Sequence, residues 1–279
     1  MTVRPRHRGL SMLLAVLTLM LGLTGTATSA AATSATTSAA ATTGGTAKPT
    51  VVLVHGVFAD SSGWNATITA LQAAGFPVIA AANPLRDLAG DSAYVSSLVK
   101  TIPGPVIMVG HSYGGAVITN AARDNANVKA LVYVAAFAPD QGETPLKLAE
   151  RFPGSLLGGA LVIRDFPGGG HDGYIDQAKF REVFAADLPV HVTRQMAVTQ
   201  RPGSVDGLSG LSGVPAWKSV PSWYVIPTED KVIPPAVQRF MAERAGSKVR
   251  EVTGASHVVM QSRPDVVVRQ ILAAYSATR

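Results

Sequence analysis

The sequence predicts an α/β fold: a mostly parallel six-stranded sheet flanked by helices, with a helical cap inserted after the fourth strand. Three observations carry that prediction. Short continuous apolar runs rich in β-branched residues recur between residues 50 and 252 and read as strands buried on both faces. Segments of helical length and period alternate with them, as right-handed crossovers between parallel strands require. The alternation breaks once, over residues 141–218, and an insertion there lies above the carboxyl ends of the strands, where such sheets bind ligands.

In chain order, residues 50–54 form the first strand. A helix follows from Ser61-Ser62 to Gly75 with Trp64, Ile68 and Leu71 on one face. Residues 77–82 are the second strand, closed by Asn83-Pro84. Residues 91–101 read as a helix with Tyr94, Val95, Leu98 and Val99 inward. The third strand is 105–109, the next helix runs from Gly114 to near Asn125, and the fourth strand is 128–135, stopped by Pro139-Asp140. The irregular segment 141–218 holds helical stretches at 144–151, 175–185 and 191–199, and no buried strand is evident in it. Strands at 222–226 and 248–252 bracket a helix at 235–245, and an amphipathic helix at 264–276 closes the chain.

Ahead of this domain, residues 1–30 read as a secretory signal peptide. Arg4, Arg6 and Arg8 form its basic start, residues 10–23 its apolar centre, and Thr28-Ser29-Ala30 a cleavage site, with alternatives as far as Ala32. The apolar run is short of the roughly 20 residues a spanning helix needs, so no stable membrane anchor is expected after cleavage. Residues 31–48 are almost entirely Ala, Thr, Ser and Gly and are expected to be a flexible linker. Residues 49–279 then form one domain of ordinary size. The chain has no cysteine, which excludes disulfides, a thiolate zinc site and a cysteine nucleophile. The net charge of +6 falls to +3 without the three signal-peptide arginines. With no basic cluster in the remainder, nucleic acid is not an expected partner.

The sharpest motif is Gly110-His111-Ser112-Tyr113-Gly114-Gly115, which follows a strand and opens a helix. This is the setting of the G-x-S-x-G nucleophile elbow, in which a strained turn thrusts the serine hydroxyl above the sheet and a Cβ on the flanking glycines would clash. A serine needs a base, and the base a third group to orient it. For this arrangement the chain order is Ser, acid, His. His257 follows the last strand and is the only histidine beyond the cap, so it is the expected base. Asp230 follows the preceding strand and is the expected acid. Its neighbour Glu229 stays an alternative, and Asp140 a weaker one whose simpler reading is a turn.

The oxyanion hole is expected from the N–H of Tyr113 and one from the loop after the first strand, with Val57 preferred and Phe58 next. His55 and His111 are expected to hold loops rather than catalyse. From position and polarity, Phe58, Phe152, Leu156, Phe166 and Phe184, with Leu157, are candidates to line the substrate pocket. His171, Asp172 and Asp176 lack metal-ligand spacing, so no metal is expected. Gly168-Gly169-Gly170 follows no strand in this reading, so no phosphate loop is expected there.

On these motifs the chain from about residue 50 onward resembles the α/β-hydrolase superfamily. Within it the chain resembles the branch of small esterases that includes plant methyl-ester hydrolases, hydroxynitrile lyases and bacterial relatives. The stretches that carry the resemblance are 51–58 with Trp64, 110–115, 132–140, 228–234 and Ser256-His257. It implies a Ser112, His257, Asp230 triad with the Val57 and Tyr113 N–H groups as oxyanion hole, and hydrolysis of a small-molecule ester without a cofactor. The lyases of this branch carry a threonine after the loop histidine and a lysine after the catalytic one. Gly56 and Val258 stand there, which favours hydrolysis. Lyase or cofactor-free perhydrolase activity on the same triad, and a non-enzymatic binding protein on the same fold, are the rival readings.

Overall fold

The computed structural model describes residues 47–279; the expected signal peptide at 1–30 and residues 31–46 of the expected linker lie outside the described residues. Lys48, expected to end the linker, already belongs to the fold. Its ammonium bonds the carbonyl of Ala74 and sits 4.9 Å over the Phe76 ring.

The chain runs through β1 (Thr50–Val54), a 3-10 turn (Ser61–Trp64), α1 (Asn65–Ala73), β2 (Val78–Ala81), α2 (Leu88–Lys100), β3 (Val106–His111), α3 (Tyr113–Ala121) and β4 (Val128–Val134). The cap then holds α4 (Pro145–Ala149), β5 (Leu161–Phe166), β6 (Gly170–Ile175), α5 (Phe180–Phe184), α6 (Val190–Thr199), β7 (Gly203–Ser204) and α7 (Val205–Ser209). The main sheet resumes with β8 (Ser222–Pro227), α8 (Pro235–Arg244), β9 (Lys248–Val252), α9 (Val259–Ser262) and α10 (Pro264–Thr278).

The main sheet has the order β2-β1-β3-β4-β8-β9, and every pairing in it is parallel. Its central strands form because they are apolar on both faces: every residue of β3 and β8 is buried. The outermost strand β9 is different, since Lys248, Val249, Arg250 and Glu251 are all exposed. Side chains cap the starts of α2, α4 and α7. Asp87 accepts from the N–H of Gly90 at 2.7 Å, which starts α2 at Leu88, three residues ahead of expectation. The buried stripe of α2 is Leu88, Asp91, Ser92, Val95 and Val99, so Tyr94, expected inward, lies off it and is exposed.

The cap departs from the expected all-helical form. Two helices end up near the expected places, but β5, β6 and β7 make an antiparallel sheet of three strands. The segment expected to be helical from 175 is strand at its first residue and helix only over Phe180–Phe184. Gly168 and Gly169, at φ +99° and +85°, turn the β5–β6 hairpin. That conformation is open to glycine at no steric cost.

Candidate active site

Ser112 sits between β3 and α3 with φ 54° and ψ −125°, in the left-handed half of the map where a side chain is strained. The glycines around it let that turn pack. A Cβ on Gly110 would lie 2.6 Å from the carbonyl oxygen of Gly114. On Gly114 it would lie 2.4 Å from the carbonyl of Val54, and on Gly115 2.4 Å from that of Phe137. Gly56 plays the same part from the facing loop, where a Cβ would meet the Ser112 Cβ at 2.6 Å.

His257 follows β9 and is fully buried, and its Nδ1 lies 2.8 Å from Asp230 Oδ2. Asp230 is buried as well and is fully engaged. Its Oδ1 accepts from the N–H groups of Val232 at 2.8 Å and Ile233 at 2.9 Å, and its Oδ2 also accepts from the Gln238 amide at 2.8 Å. These donors hold the carboxylate facing Nδ1, so the proton of the neutral imidazole belongs on that nitrogen. The opposite nitrogen, Nε2, is buried without a hydrogen-bond partner. It is therefore available to a serine hydroxyl, although Ser112 and His257 are not hydrogen-bonded in this state. Such bonds are often long before substrate binds. Glu229 is exposed, and Asp140 is spent on Lys218 Nζ at 2.6 Å, so neither alternative acid reaches the imidazole.

His111 forms the floor beside the base. Its Nε2 donates to the His257 carbonyl at 3.0 Å, and the two rings are 4.7 Å apart. Burial, and next the neighbouring His257, hold its pKa well below the usual histidine value, so it is neutral. His55 holds its loop as expected: Nδ1 donates to the Gly56 carbonyl at 2.9 Å and Nε2 accepts from the Asn83 N–H at 3.2 Å. Burial lowers its pKa too.

The two N–H groups expected at the oxyanion hole are free. Tyr113 is the first residue of α3, so its N–H has no acceptor within the helix. Val57 N–H has no backbone acceptor among the described residues. Phe58 is excluded, because its N–H donates to the carbonyl of Arg201 at 2.8 Å.

A description of the alpha/beta hydrolase family matches residues 51–270. The chain belongs to that family. Among curated relatives of this α/β-hydrolase, alpha-hydroxynitrile lyase of Arabidopsis thaliana is 28% identical over 236 residues, 76% of this chain and 92% of the lyase. Methylesterase 8 of the same plant is 25% identical over 256 residues, 81% of this chain and 89% of that protein. The carbendazim hydrolyzing esterase of a Nocardioides strain is 32% identical over 142 residues, covering 45% of this chain and 55% of the esterase. Among solved structures, polyneuridine aldehyde esterase superposes with a TM-score of 0.70 at 23% identity, over 81% of this chain and 98% of that one. This last likeness speaks to the fold alone.

Of the side chains expected to line a pocket in this hydrolase, two are at the site and four are not. Phe184 from the cap lies 5.1 Å from the His257 ring and 6.4 Å from that of His111, and Phe58 meets Phe184 edge-on at 6.1 Å. Phe152 instead packs on Phe240 at 6.2 Å and, with Leu157, lines a cavity of about 310 Å³ that no triad residue borders. Leu156 is 41% exposed. Phe166 folds back on Gly170 of its own hairpin, with the Arg86 guanidinium 5.3 Å above it. Polarity marked these residues for packing, but Phe152, Leu157 and Phe166 are only half-buried, away from the triad, and Leu156 is exposed.

Two supporting residues escaped the sequence reading. Gln238 braces the acid from α8, eight residues downstream, and no motif announces it. Asp91 accepts from the Tyr113 hydroxyl at 2.8 Å, tethering the side chain beside the nucleophile. Burial raises the Asp91 pKa, and burial with the nearby Asp91 carboxylate raises that of Tyr113.

Proposed function

We propose that this chain is an exported serine esterase that cleaves small carboxylic esters through a Ser112–His257–Asp230 triad. The observation that carries the reading is the buried His257–Asp230 pair at 2.8 Å, with a free Nε2, its ring 4.7 Å from that of His111, the residue next to the strained serine. In the first half-reaction Ser112 Oγ bonds to the ester carbonyl carbon while His257 Nε2 takes its proton. The carbonyl oxygen becomes an oxyanion between the N–H groups of Val57 and Tyr113. The C–O bond to the alcohol then breaks, and His257 returns the proton to the departing oxygen. Water repeats the sequence on the acyl-enzyme and frees the acid and Ser112. Asp230 holds the tautomer and stabilises the imidazolium. Relatives named as esterases support the substrate class.

The test is labelling with a fluorophosphonate probe and turnover of a panel of p-nitrophenyl esters of increasing acyl length. Both are expected in the parent protein and lost in Ser112→Ala. Absence of both labelling and turnover would favour the binding-protein reading. A lyase reading has the plant lyase relative in its favour, but the residue after the catalytic histidine is the fully buried, uncharged Val258. Cyanohydrins, and peroxide with acetate, belong in the same panel to test lyase and perhydrolase chemistry. Export rests on residues 1–30 and is tested by N-terminal sequencing of protein recovered outside the cytoplasm, which should start near Ala31.

A further inference from the structure

Ser112, Val57, Phe58, Phe184 and His257 are each less than 5% exposed, so the serine is shut off from solvent with the cap as it stands. The cap does more than cover. It touches both loops that carry the chemistry. On the oxyanion side, the Arg201 carbonyl accepts from the Phe58 N–H at 2.8 Å, and Gly203 of β7 lies so close to Val57 that a Cβ there would stand 2.1 Å from Val57 Cγ1. On the histidine side, the Ser256 hydroxyl donates to Asp187 of the cap, and the Phe184 ring lies against His257.

Phe58 gives these contacts their meaning. It has φ 63°, a conformation that costs a residue other than glycine about 1–3 kcal/mol and lasts only where surrounding structure enforces it. Two groups that hold it there, the Arg201 carbonyl and the Phe184 ring, belong to the cap. With the cap lifted, the Phe58 N–H loses its acceptor and its ring loses its edge-on partner. The loop, whose Gly56 packs against Ser112, is then free to relax, and the neighbouring Val57 N–H moves with it.

We propose that the cap is a positioning element for catalysis: the Arg201–Ser204 segment sets the oxyanion loop, and Phe184 with Asp187 sets the histidine loop, so the oxyanion hole is complete only when the cap is closed. The inference rests on the esterase reading. It makes closure itself a source of selectivity, because an ester too bulky to let the cap reseat would bind and turn over slowly.

The test uses the full-length protein with Gly203→Ala, which wedges β7 away from Val57, and Asp187→Ala, which unties the histidine loop. Ile163→Ala, on the exposed face of β5, is the control for general cap damage. Hydrolysis of p-nitrophenyl acetate and binding of phenylboronic acid, which places an oxygen in the oxyanion hole, are measured alongside thermal unfolding. Removing one oxyanion donor outright costs about 10²–10³ in kcat, so a displaced donor should cost Gly203→Ala about 10–100-fold in kcat, with KM within about threefold. Phenylboronic acid should weaken by a similar factor. Asp187→Ala should lose about tenfold in kcat and shift the pH–rate midpoint, and Ile163→Ala should match the parent. Should Gly203→Ala not unfold cooperatively, Asp187→Ala, which only removes atoms, decides alone. The proposal is overturned if the folded variants keep kcat within about twofold, or if the loss is all in KM with phenylboronic acid binding unchanged. A parent protein that neither labels nor hydrolyses overturns the esterase reading, and this inference with it; an active parent with unaffected variants overturns the inference alone.

Discussion

Gly114→Ala puts the geometry of the nucleophile turn under direct test. Gly114 is the second residue of α3, and the added methyl would stand 2.4 Å from the carbonyl oxygen of Val54 and 2.9 Å from that of His55. Neither atom can swing aside, because Val54 pairs with both β2 and β3. The helix must therefore retreat by about 1 Å to reach ordinary van der Waals contact. Overpacking of this kind costs about 1–3 kcal/mol or more, against which alanine recovers at most about 1 kcal/mol of helix propensity. Because the clash is with fixed backbone, a net loss of about 2 kcal/mol is expected, which for a domain of this size lowers Tm by about 4–8 °C. The same retreat carries Ser112 and the Tyr113 N–H with it, and a misplacement of about 1 Å can cost about 100-fold in rate. Thermal unfolding and kcat/KM on a p-nitrophenyl ester measure the two effects. Gly159→Ala is the matched control, since nothing lies within 4 Å of its added Cβ. If Gly114→Ala keeps Tm within about 2 °C and kcat/KM within about threefold, the packing argument for the turn is wrong.

Asp230→Asn preserves shape but reverses the preferred imidazole tautomer, and should lower kcat by about 10³–10⁴ with little change in KM. Gln238→Ala removes one donor from that carboxylate and should cost about 1–2 kcal/mol in urea unfolding, with a smaller loss of kcat. Stability should fall with acid in a specific window. His55 and His111 have folded pKa values below the unfolded 6.5, so the unfolded chain takes up protons first. Their contribution is present above pH 6.5 and is lost as pH falls below it, at up to about 1.4 kcal/mol per pH unit for each histidine. A flat unfolding free energy between pH 7 and 5 would contradict this. Arg244→Ala removes a two-pronged contact to Glu143 at 2.7 Å per prong, a bond to the Ala138 carbonyl, and stacking 4.9 Å over Phe240. A loss of about 2–3 kcal/mol at an unchanged urea m-value is the expected result.

The central strands of the main sheet were legible because they are buried on both faces and so read as apolar runs. The Ser112 turn and its helix were legible because their glycines answer a steric demand that a sequence displays. The cap hairpin was not. β5 and β6 are half exposed and carry Arg164, Asp165, His171 and Asp172, so they lack both an apolar run and strict alternation. The one available signal is Gly168-Gly169, glycines that permit a tight hairpin turn. The pocket residues failed for a different reason. Phe152, Phe166 and Phe184 are chemically alike, and only tertiary packing sends Phe184 to His257 and the others elsewhere. By sequence Phe58 is the second candidate oxyanion donor, and what excludes it is a carbonyl 143 residues away in sequence.

The exposed rim strand β9 bears on how such a chain survives its own assembly. A parallel sheet is built from contacts distant in sequence and forms slowly, so its borders stay unprotected while the rest consolidates. Without a cysteine, no covalent bond shortens that interval. Lys248, Arg250 and Glu251 place charge on the border where a second molecule would otherwise add its own strand. Neutralising all three should leave the finished enzyme intact and show itself as lower refolding yield at high protein concentration.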